Sequence, residues 1–280
     1  MSSPDILLLT CVHYNDTRNV QAFLDHITRL PLPEGWAFRI AVGDNSGNWD
    51  HRIALPENVC VYTSEANRGY LRGCAFARAR WLEEHALQPT LVGIANTDLA
   101  LAGDFFVQLL TQALPERVAV LAPRITLPDG TLQNPFLRVR PNRARMFGYT
   151  LLYRSALLTG CWQWLHSRKN RLRRAGKPQV GAPRQRSLAP DYTPYAAHGS
   201  LFFLRPNFFE RGGTLDYPTF LFGEEIFIAE QVRAFGLKVA YLPSARVLHN
   251  AHTSTDRIAS RRRARWMHES ACFLWRRHFS

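Results

Sequence analysis

The sequence predicts an α/β fold in which a mostly parallel central sheet is flanked by helices. In the first third of the 280-residue chain, short apolar runs alternate with amphipathic helical patterns. Strands separated by helices of roughly ten residues or more indicate βαβ units. Polar clusters follow four of these runs, where an α/β sheet binds its ligands. The clusters are His13-Tyr14-Asn15, Asp44-Asn45, Asn67-Arg68-Gly69 and Asn96-Thr97-Asp98.

The predicted elements of this first part follow from apolar periodicity. Strands are expected at residues 6–12, 38–42, 59–63, 91–95 and 118–122. The first helix begins at Asn15 or Asp16, either of which can cap it. Its core face is predicted to be Val20, Phe23, Leu24 and Ile27. The second helix is predicted to bury Leu71, Ala75, Ala79 and Leu82. A third helix, capped by Asp104, carries Phe105, Phe106, Leu109 and Leu110.

The last third of the chain returns to globular patterning. Strands are expected at residues 197–204, 239–242 and 247–249, and a short helix and turn at 208–213. A further helix follows Phe222-Gly223-Glu224-Glu225 and ends near Gly236. The tail, from about residue 256 to 277, is predicted to be helical and Arg-rich.

Positive charge is concentrated in the middle of the chain. Between Arg138 and Arg186 there are eleven Arg, two Lys and no acidic residue, which accounts for the whole formal charge of +13. Residues 146–165 are mostly apolar and lead into a basic cluster at 167–174. This pattern is typical of an interfacial helix on an anionic membrane, although a core helix beside a solvated basic loop is the alternative. A membrane span is disfavoured because the run is short and contains Arg154. A loop is expected at 176–190.

Cysteine usage and the N-terminus favour a cytoplasmic protein. The five cysteines are scattered and include no CxxC pair, which argues against a zinc site or a disulfide framework and fits a reducing compartment. The first five residues carry no Lys or Arg, and the apolar run at 6–9 is too short for a signal core. No secretion signal is therefore expected.

Six segments together resemble a known set of motifs. They are Cys11-Val12-His13-Tyr14-Asn15, Val42-Gly43-Asp44-Asn45-Ser46, Glu65-Ala66-Asn67-Arg68-Gly69-Tyr70-Leu71-Arg72-Gly73, Ile94-Ala95-Asn96-Thr97-Asp98, Phe222-Gly223-Glu224-Glu225, and residues 235–245 followed by His249 and Ser254-Thr255. In order and spacing they are similar to the motifs V-x-Y-N, V-V-D-N-x-S, E-N-x-G-x-x-x-G, L-N-x-D, Y-G-E-D and A-G-Y-K-I-x-Y-V-P-x-A. These belong to the family 2 glycosyltransferases, inverting enzymes of the GT-A fold, and especially to their rhamnosyltransferase-like bacterial branch. The resemblance covers most of residues 5–135 and 195–255.

The resemblance implies a site for a UDP-, dTDP- or GDP-linked sugar in the first half. The residues expected to bind it are Cys11, His13, Tyr14, Asp44, Asn67, Gly69, Arg72 and Asn96. Asp44 would accept hydrogen bonds from a base or ribose, or else stabilise its own Gly-Asn-Ser turn. Tyr14 would stack on the base. Asn67, Gly69 and Arg72 lie at a strand-to-helix turn suited to phosphate, although Arg72 is equally a candidate for a solvated helix residue.

The resemblance also implies a metal ligand and a catalytic base. Asp98 would bind Mg²⁺ or Mn²⁺, which prefers carboxylate, phosphate and water oxygens and neutralises a leaving diphosphate. Asn96-Thr97-Asp98 supplies one carboxylate where Asp-x-Asp would supply two. His249 would be a second ligand or a diphosphate contact, or a packed structural residue. Glu225 stands where the family has its catalytic Asp and would deprotonate the acceptor hydroxyl, with Glu224 as the second candidate. The alternative is that both are ordinary acids of a first helical turn.

Four regions and one function are expected from these patterns. Residues 1–135 would form the nucleotide-sugar-binding half, 136–190 a basic and partly apolar insertion, 191–255 the acceptor and catalytic half, and 256–280 an Arg-rich C-terminal helix. The expected activity is inverting transfer of a hexosyl or rhamnosyl group to a cell-surface glycan or lipid-linked acceptor. The bacterial enzyme would be cytoplasmic and peripheral at the inner membrane.

Three other functions are weighed against this one. A nucleotidyltransferase would need an early Gly-rich segment, and residues 10–15 contain no Gly. A nucleic-acid-binding protein could use the basic stretch, but no recognition motif accompanies it, so no specific nucleic acid is expected. A degenerate transferase that binds donor without turnover is suggested by Asn96 and Glu225.

Overall fold

The computed structural model describes residues 4–162, 193–250 and 260–280. The strands are β1 (Asp5–His13), β2 (Trp36–Asp44), β3 (Val59–Thr63), β4 (Leu91–Ala95), β5 (Leu99–Leu101), β6 (Val118–Thr126), β7 (Leu201–Leu204) and β8 (Lys238–His249). The helices are α1 (Thr17–Ile27), α2 (Tyr70–His85), α3 (Phe105–Leu110), α4 (Arg143–Leu152), α5, described over 156–162, α6 (Pro206–Glu210), α7 (Glu224–Ala234) and α8 (Ser260–Leu274). A π-helical segment, Trp275–Phe279, follows α8.

The described strands form an eight-stranded sheet of order β3-β2-β1-β4-β7-β6-β8-β5. The predicted α/β architecture is confirmed. Strands β3, β2, β1 and β4 are all parallel, and β6 pairs parallel with β8. Strands β7 and β5 are antiparallel to their neighbours, so the sheet is more mixed than predicted. The unpredicted strand β5 follows β4 after three residues, too few for a parallel crossover, and it pairs with β8 instead.

The core explains why the central strands are continuously apolar. Residues 6–11 of β1 are all buried, as expected for a strand covered by helices on both faces. The predicted core face of α1 is confirmed, since all four of its apolar residues are buried. Asp16 caps that helix by accepting a hydrogen bond from the Asn19 N–H at 3.2 Å.

The predicted core face of α2 is correct for Leu71 and, in part, for Leu82, which is half-buried against the core, but wrong for Ala79, which is exposed. The residues that α2 buries are Leu71, Gly73, Cys74, Ala77 and Trp81. Small side chains let the helix approach the sheet closely, and Trp81 fills the space further along. A reading based on Leu and Ala spacing gives too little weight to such small residues.

Three other boundaries differ from the prediction. The two strands expected at 239–242 and 247–249 are one strand, β8, with a register irregularity against β6 at Pro123/Arg124. The strand expected at 197–204 is confined to β7. The apolar run at 146–165 is broken at residues 153–155, which separates α4 from α5.

The chain divides into two compact units. The first comprises Met1–Arg140, Thr193–Phe220 and Glu224–His252, and the second comprises Pro141–Tyr192, Leu221–Gly223 and Thr253–Ser280. The first holds the sheet with α1, α2, α3, α6 and α7. In the second, α4 packs on α8, where the Thr150 carbonyl oxygen lies 2.9 Å from His268 Nδ1. Within the described ranges, no helix is long and apolar enough to cross a membrane. The features predicted at 167–174, 176–190 and Ser254-Thr255 lie outside the described residues, as does the start of the predicted tail helix.

Candidate active site

Asp44 and His13 face each other at the carboxyl ends of β2 and β1. The parallel register pairs the two residues, and His13 Nδ1 lies 2.8 Å from Asp44 Oδ1 with both side chains fully buried. Asp44 also accepts hydrogen bonds from the N–H groups of Ser46, Gly47 and Trp49. Burial opposes ionisation, but the hydrogen bonds from His13, Trp49 and Ser46 lower the pKa of Asp44 to about 2. The carboxylate therefore orders its own loop, and a direct contact to a base stays a prediction.

Tyr14 and Cys11 have opposite environments on β1 and the residue after it. The Tyr14 side chain is 54% exposed, so its ring is available for stacking. Cys11 is fully buried within the hydrophobic core, and burial raises the pKa of its thiol far above the usual range. The thiol of Cys11 therefore packs in the core of this fold, and the predicted contact of Cys11 with a donor stays a prediction.

Gly69 begins α2 in a conformation that other residues rarely adopt. Its φ is 78°, and a Cβ at this position would collide with the carbonyl oxygen of Phe220. Asn67 Oδ1 accepts from the Gly69 N–H at 3.0 Å, and Asn45 Nδ2 donates to the Gly69 oxygen at 2.8 Å. These amides set the direction in which α2 leaves β3.

Arg72 lies on the first turn of α2, at the protein surface. Its Nε is 3.0 Å from Asp216 Oδ1, and the two side chains are 44% and 73% exposed. Exposed ion pairs of this kind contribute little stability. Exchanging Asp216 for a phosphate would therefore cost the fold little.

Asp98 and His249 form the pair predicted to hold a metal. Antiparallel pairing of β5 with β8 places Leu99 opposite His249, and His249 Nε2 lies 3.2 Å from Asp98 Oδ2. His249 Nδ1 is 2.7 Å from the Gln133 Oε1. The other Asp98 oxygen, Oδ1, is buried and has no hydrogen-bond partner in the described part of the chain.

These contacts fit a divalent cation. A neutral His249 that donates its Nδ1–H to Gln133 Oε1 presents the lone pair of Nε2 to the Asp98 carboxylate, whereas a charged ring would donate to both oxygens. Two facing lone pairs repel unless a cation or proton lies between them, and metal-binding His residues commonly donate their second N–H in this way. Nowhere in the described ranges do three His, Cys, Asp or Glu gather as a metal site. Phosphate and water oxygens would have to complete the shell, as they usually do for Mg²⁺.

Residues 198–200, which precede β7, contact both the Asp98–His249 pair and the residue that follows β4. The imidazole of His198 meets the ring of His249 edge-on, with centroids 6.0 Å apart. The Asn96 N–H donates to the Ser200 carbonyl oxygen at 2.8 Å. The ends of β4 and β8 therefore meet at the same three-residue segment.

Gly199, the middle residue of this segment, contacts Glu225 and lies next to Glu224. Its N–H donates to Glu225 Oε1 at 3.3 Å, and a Cβ on it would lie 3.5 Å from Glu224 Cγ. The Tyr70 hydroxyl donates to the Gly199 carbonyl oxygen at 2.8 Å. The glutamate pair and the Asp98–His249 pair thus flank one short piece of backbone.

The two glutamates begin α7 after a sharp turn. Phe222 and Gly223 both have positive φ, at 70° and 84°, which explains a glycine immediately before the acids. Burial, and then the neighbouring charge of Glu225, raise the pKa of Glu224 well above its usual value. Burial also raises the pKa of Glu225. Glu224 Oε2 is buried without a hydrogen-bond partner among the described residues. Two adjacent buried carboxyls resist simultaneous ionisation, so the pair tends to retain a proton.

Sequence reasoning missed four residues of this site: Tyr70, Gln133, His198 and Gly199. A glycine beside a histidine inside a strand-like run is a signal of irregular backbone, and it was available at 198–200. Gln133 offered no such signal. It reaches His249 because residues after β6 fold back, with Thr126 and Leu132 forming an isolated bridge.

Comparisons with known proteins bear on the fold. No protein-family model and no curated protein matches the chain. The structure of GalNAc-T7 with UDP, GalNAc and Mn²⁺ aligns over 88% of this chain, with a TM-score of 0.55 and 17% identity. Two structures of S. aureus TarS, one of them of residues 1–349, also align over 88% of this chain. Their TM-scores are 0.50 and 0.51, and their identities 11% and 10%.

These neighbours are GT-A-type glycosyltransferases. The alignments span 44% of the GalNAc-T7 chain and 60% and 36% of the two TarS chains. A likeness at such low identity concerns the fold alone. The expected GT-A-like architecture is confirmed at that level, whereas the family 2 assignment and its rhamnosyltransferase-like branch stay predictions.

Proposed function

We propose that this protein is an inverting glycosyltransferase that moves one sugar from a nucleotide-diphosphate sugar to an acceptor hydroxyl. One observation carries the proposal: the Asp98–His249 pair and the Glu224–Glu225 pair both contact residues 198–200. Direct displacement of a diphosphate needs a cation site and a proton acceptor on the same sugar–phosphate bond. The GT-A-like fold supports this reading.

The metal pair would hold the donor by its diphosphate. Mg²⁺ or Mn²⁺, bound there together with phosphate oxygens, supplies charge neutralisation for the leaving group. Asp98 would contribute its carboxylate, whose Oδ2 faces His249 Nε2 and whose Oδ1 is buried without a hydrogen-bond donor in the described part of the chain. His249 contributes Nε2 while its Nδ1 faces Gln133. The Mn²⁺ and UDP present with GalNAc-T7 are consistent with this role.

Glu225 would be the base, and Glu224 the residue that keeps it ionised. Environments that separate the pKa values of neighbouring carboxyls assign their roles. Burial and the charge of Glu225 raise the pKa of Glu224, and its Oε2 is buried without a hydrogen-bond partner among the described residues, so Glu224 would hold the proton of the pair. Glu225 accepts the Gly199 N–H, a contact that favours its ionised form, and can take the proton of an incoming hydroxyl. The longer Glu side chain would place the acceptor slightly further from α7 than an Asp would.

The strand ends of the first half would bind the nucleotide. Tyr14 offers an exposed ring for the base, and Asp44 acts through the order of the 44–49 loop. Arg72 can exchange its exposed carboxylate partner for phosphate. Gly69 and Asn96 would contribute backbone and side-chain contacts near the diphosphate. Asn67 would support them by fixing the Gly69 turn.

The acceptor is proposed to be a cell-surface glycan precursor or a lipid-linked glycan at the cytoplasmic side of a bacterial membrane. The excess positive charge of residues 138–186 supports a polyanionic neighbourhood. A degenerate protein that binds donor without turnover is the second candidate. It is suggested by the single carboxylate of Asn96-Thr97-Asp98 and by Glu225 in place of Asp.

A donor panel separates these candidates. UDP-, dTDP- and GDP-sugars are tested for thermal stabilisation of the protein and for slow sugar release, with and without Mn²⁺. The proposal predicts that one nucleotide class stabilises the protein in a Mn²⁺-dependent way and is hydrolysed. Stabilisation without any sugar release, in the presence of simple glycan acceptors as well, would favour the degenerate binder. The absence of stabilisation by every donor would contradict both.

A further inference from the structure

Helices α4 and α5 expose large apolar side chains to solvent. Leu157 is 81% exposed, Leu158 55% and Leu151 52%, and Phe147 and Trp162 are also exposed. Isolated exposed leucines are common, but a cluster of large apolar side chains on two successive helices marks an interaction surface. We name these five residues the α4–α5 face.

Four of the five members of this face lie at helical spacing. Phe147 and Leu151 are four residues apart on α4, and Leu158 and Trp162 are four apart on α5, so each pair shares one side of its helix. The rings of Tyr149 and Trp162 approach with centroids 6.5 Å apart, which brings the two helices together.

The same helices bury a different set of residues. Met146, Thr150 and Thr159 are buried, and Thr150 is the residue that meets α8. Leu151, Leu157 and Leu158 therefore lie apart from the residues that bury these helices, whereas Phe147 is half-exposed and its ring also packs on Trp275, with centroids 5.3 Å apart.

Positive charge predominates in the described part of the second unit. The described residues of this unit include nine Arg, no Lys and one acidic residue, Glu269. Glu269 is itself engaged by Arg265 at 2.8 Å. Arg143, Arg145 and Arg154 lie on or beside α4 and α5. This combination of exposed apolar side chains and nearly unopposed Arg complements a surface that is both apolar and anionic.

We infer that the α4–α5 face docks on an anionic lipid bilayer, with its Leu, Phe and Trp side chains inserted among the headgroups and Arg residues contacting lipid phosphate. Interfacial helices bind by this combination of apolar burial and charge attraction. Nucleic acid would use the Arg residues but would leave Leu157 and Leu158 in water. A second copy of the chain would bring like charges together. The inference does not rest on glycosyl transfer, because it uses other residues.

The test is co-sedimentation of the full chain with vesicles of phosphatidylglycerol and phosphatidylcholine, compared with phosphatidylcholine alone. The wild-type protein is expected to pellet with the anionic vesicles and to be released by salt. The variant carrying Leu157→Ser and Leu158→Ser is expected to bind these vesicles roughly tenfold more weakly or worse, because two inserted side chains are lost. Leu87→Ser is the matched control, since Leu87 is 47% exposed in the first unit, and it should bind like wild type.

Several results would overturn the inference. Equal pelleting with neutral and anionic vesicles would do so, as would unchanged binding by the double variant. Tighter binding to duplex DNA than to vesicles, unaffected by the Leu substitutions, would assign the charge to nucleic acid. Concentration-dependent self-association abolished by the same substitutions would assign the face to a second copy. Leu151→Ser on α4 repeats the test if the double variant fails to fold. Sugar release from a soluble donor should be unchanged in all correctly folded variants.

Discussion

Asp98 and Glu224 each keep one carboxylate oxygen buried without a hydrogen-bond donor among the residues described. A buried, unsatisfied polar group costs about 1–3 kcal/mol, and more when it is charged. Each such group in a folded protein calls for a specific explanation. A bound cation would satisfy the carboxylate of Asp98, and a retained proton would remove the charge from that of Glu224.

The stability of the Glu224→Gln variant at several pH values tests whether Glu224 retains a proton. A carboxyl whose pKa is raised on folding destabilises the folded state as pH rises above its unfolded pKa, because the unfolded chain releases that proton first. The neutral amide has no such dependence. We expect the melting temperature of the variant, relative to wild type, to increase between about pH 5 and about pH 8. The exposed Glu83→Gln serves as control. A difference that stays constant with pH would mean that Glu224 is ionised in the folded state.

Gln133 is expected to position His249 for metal. Removing the group that holds a ligating imidazole typically lowers metal affinity about 10–100-fold. Gln133→Met should therefore weaken Mn²⁺ binding in the presence of nucleotide diphosphate by that factor, measured by calorimetry. Gln112→Met, at an exposed position on the sequence after α3, should leave Mn²⁺ affinity unchanged. Equal affinities for the two variants would remove Gln133 from the site.

At the scale of single elements, sequence periodicity predicted correctly the helices and strands in which buried apolar residues alternate regularly with exposed polar ones. The core face of α1 and the length of β3 agree with the prediction because their apolar residues follow one period without interruption. The face of α2 could not be read correctly, since Gly73, Cys74 and Ala77 are buried for their small size. Strand β5 is three residues long, and its partner β8 lies far away in sequence, so local pattern carries no signal for it.

Gly69, at the start of α2, is a position where a side chain cannot be accommodated. Gly69→Ala would force a side chain into positive φ and against the Phe220 carbonyl. We expect a loss of roughly 2–4 kcal/mol in the free energy of unfolding, together with weaker donor binding. The matched control is Gly103→Ala, where a Cβ meets nothing within 4 Å. Chemical denaturation measures both, and equal stability of the two variants would contradict this account of the turn.

At the scale of the whole molecule, motif order predicted the sheet and the convergence of distant strand ends. Parallel strands place their carboxyl ends on one edge, so His13, Asp44 and Asn96 could be grouped from sequence. The meeting of Asp98 with His249 could be predicted only through the resemblance, because it depends on the antiparallel β5–β8 pairing. The role of residues 198–200 could not be predicted, since it depends on how β7 enters the sheet between β4 and β6.

A buried carboxylate holds together two segments of the first unit, the one that ends at Arg140 and the one that begins at Thr193. Glu230, on α7, accepts two hydrogen bonds from Arg140, at 2.7 and 3.1 Å, and one from the Tyr195 hydroxyl at 2.7 Å. Leu137 and Ala196 pair as an isolated bridge between the same two segments. Arg233 adds a further contact at 3.1 Å. Although burial opposes ionisation, these hydrogen bonds lower the pKa of Glu230.

Glu230→Gln should therefore destabilise the first unit. Removing one member of a buried ion pair costs several kcal/mol, and we expect about 2–4 kcal/mol because the Arg partners reach solvent. A carboxyl whose pKa is lowered by folding stabilises the folded state at pH values above its unfolded pKa. The difference in the free energy of unfolding between wild type and variant should therefore shrink as the solution is acidified below about pH 4. Urea denaturation at several pH values, with the exposed Glu210→Gln as control, measures this. A loss no larger than that of the control would show that the network contributes no stability.

The central claim is that the Asp98–His249 and Glu224–Glu225 pairs act on the same sugar–phosphate bond. The most direct measurement is the rate of sugar transfer at saturating donor for Glu225→Gln, with donor affinity determined on the same protein. We predict a loss of about 10²–10⁴-fold in rate with Mn²⁺-dependent donor affinity retained, whereas Asp98→Asn should lose that affinity. Unchanged transfer by Glu225→Gln, or unchanged Mn²⁺-dependent binding by Asp98→Asn, would contradict the account.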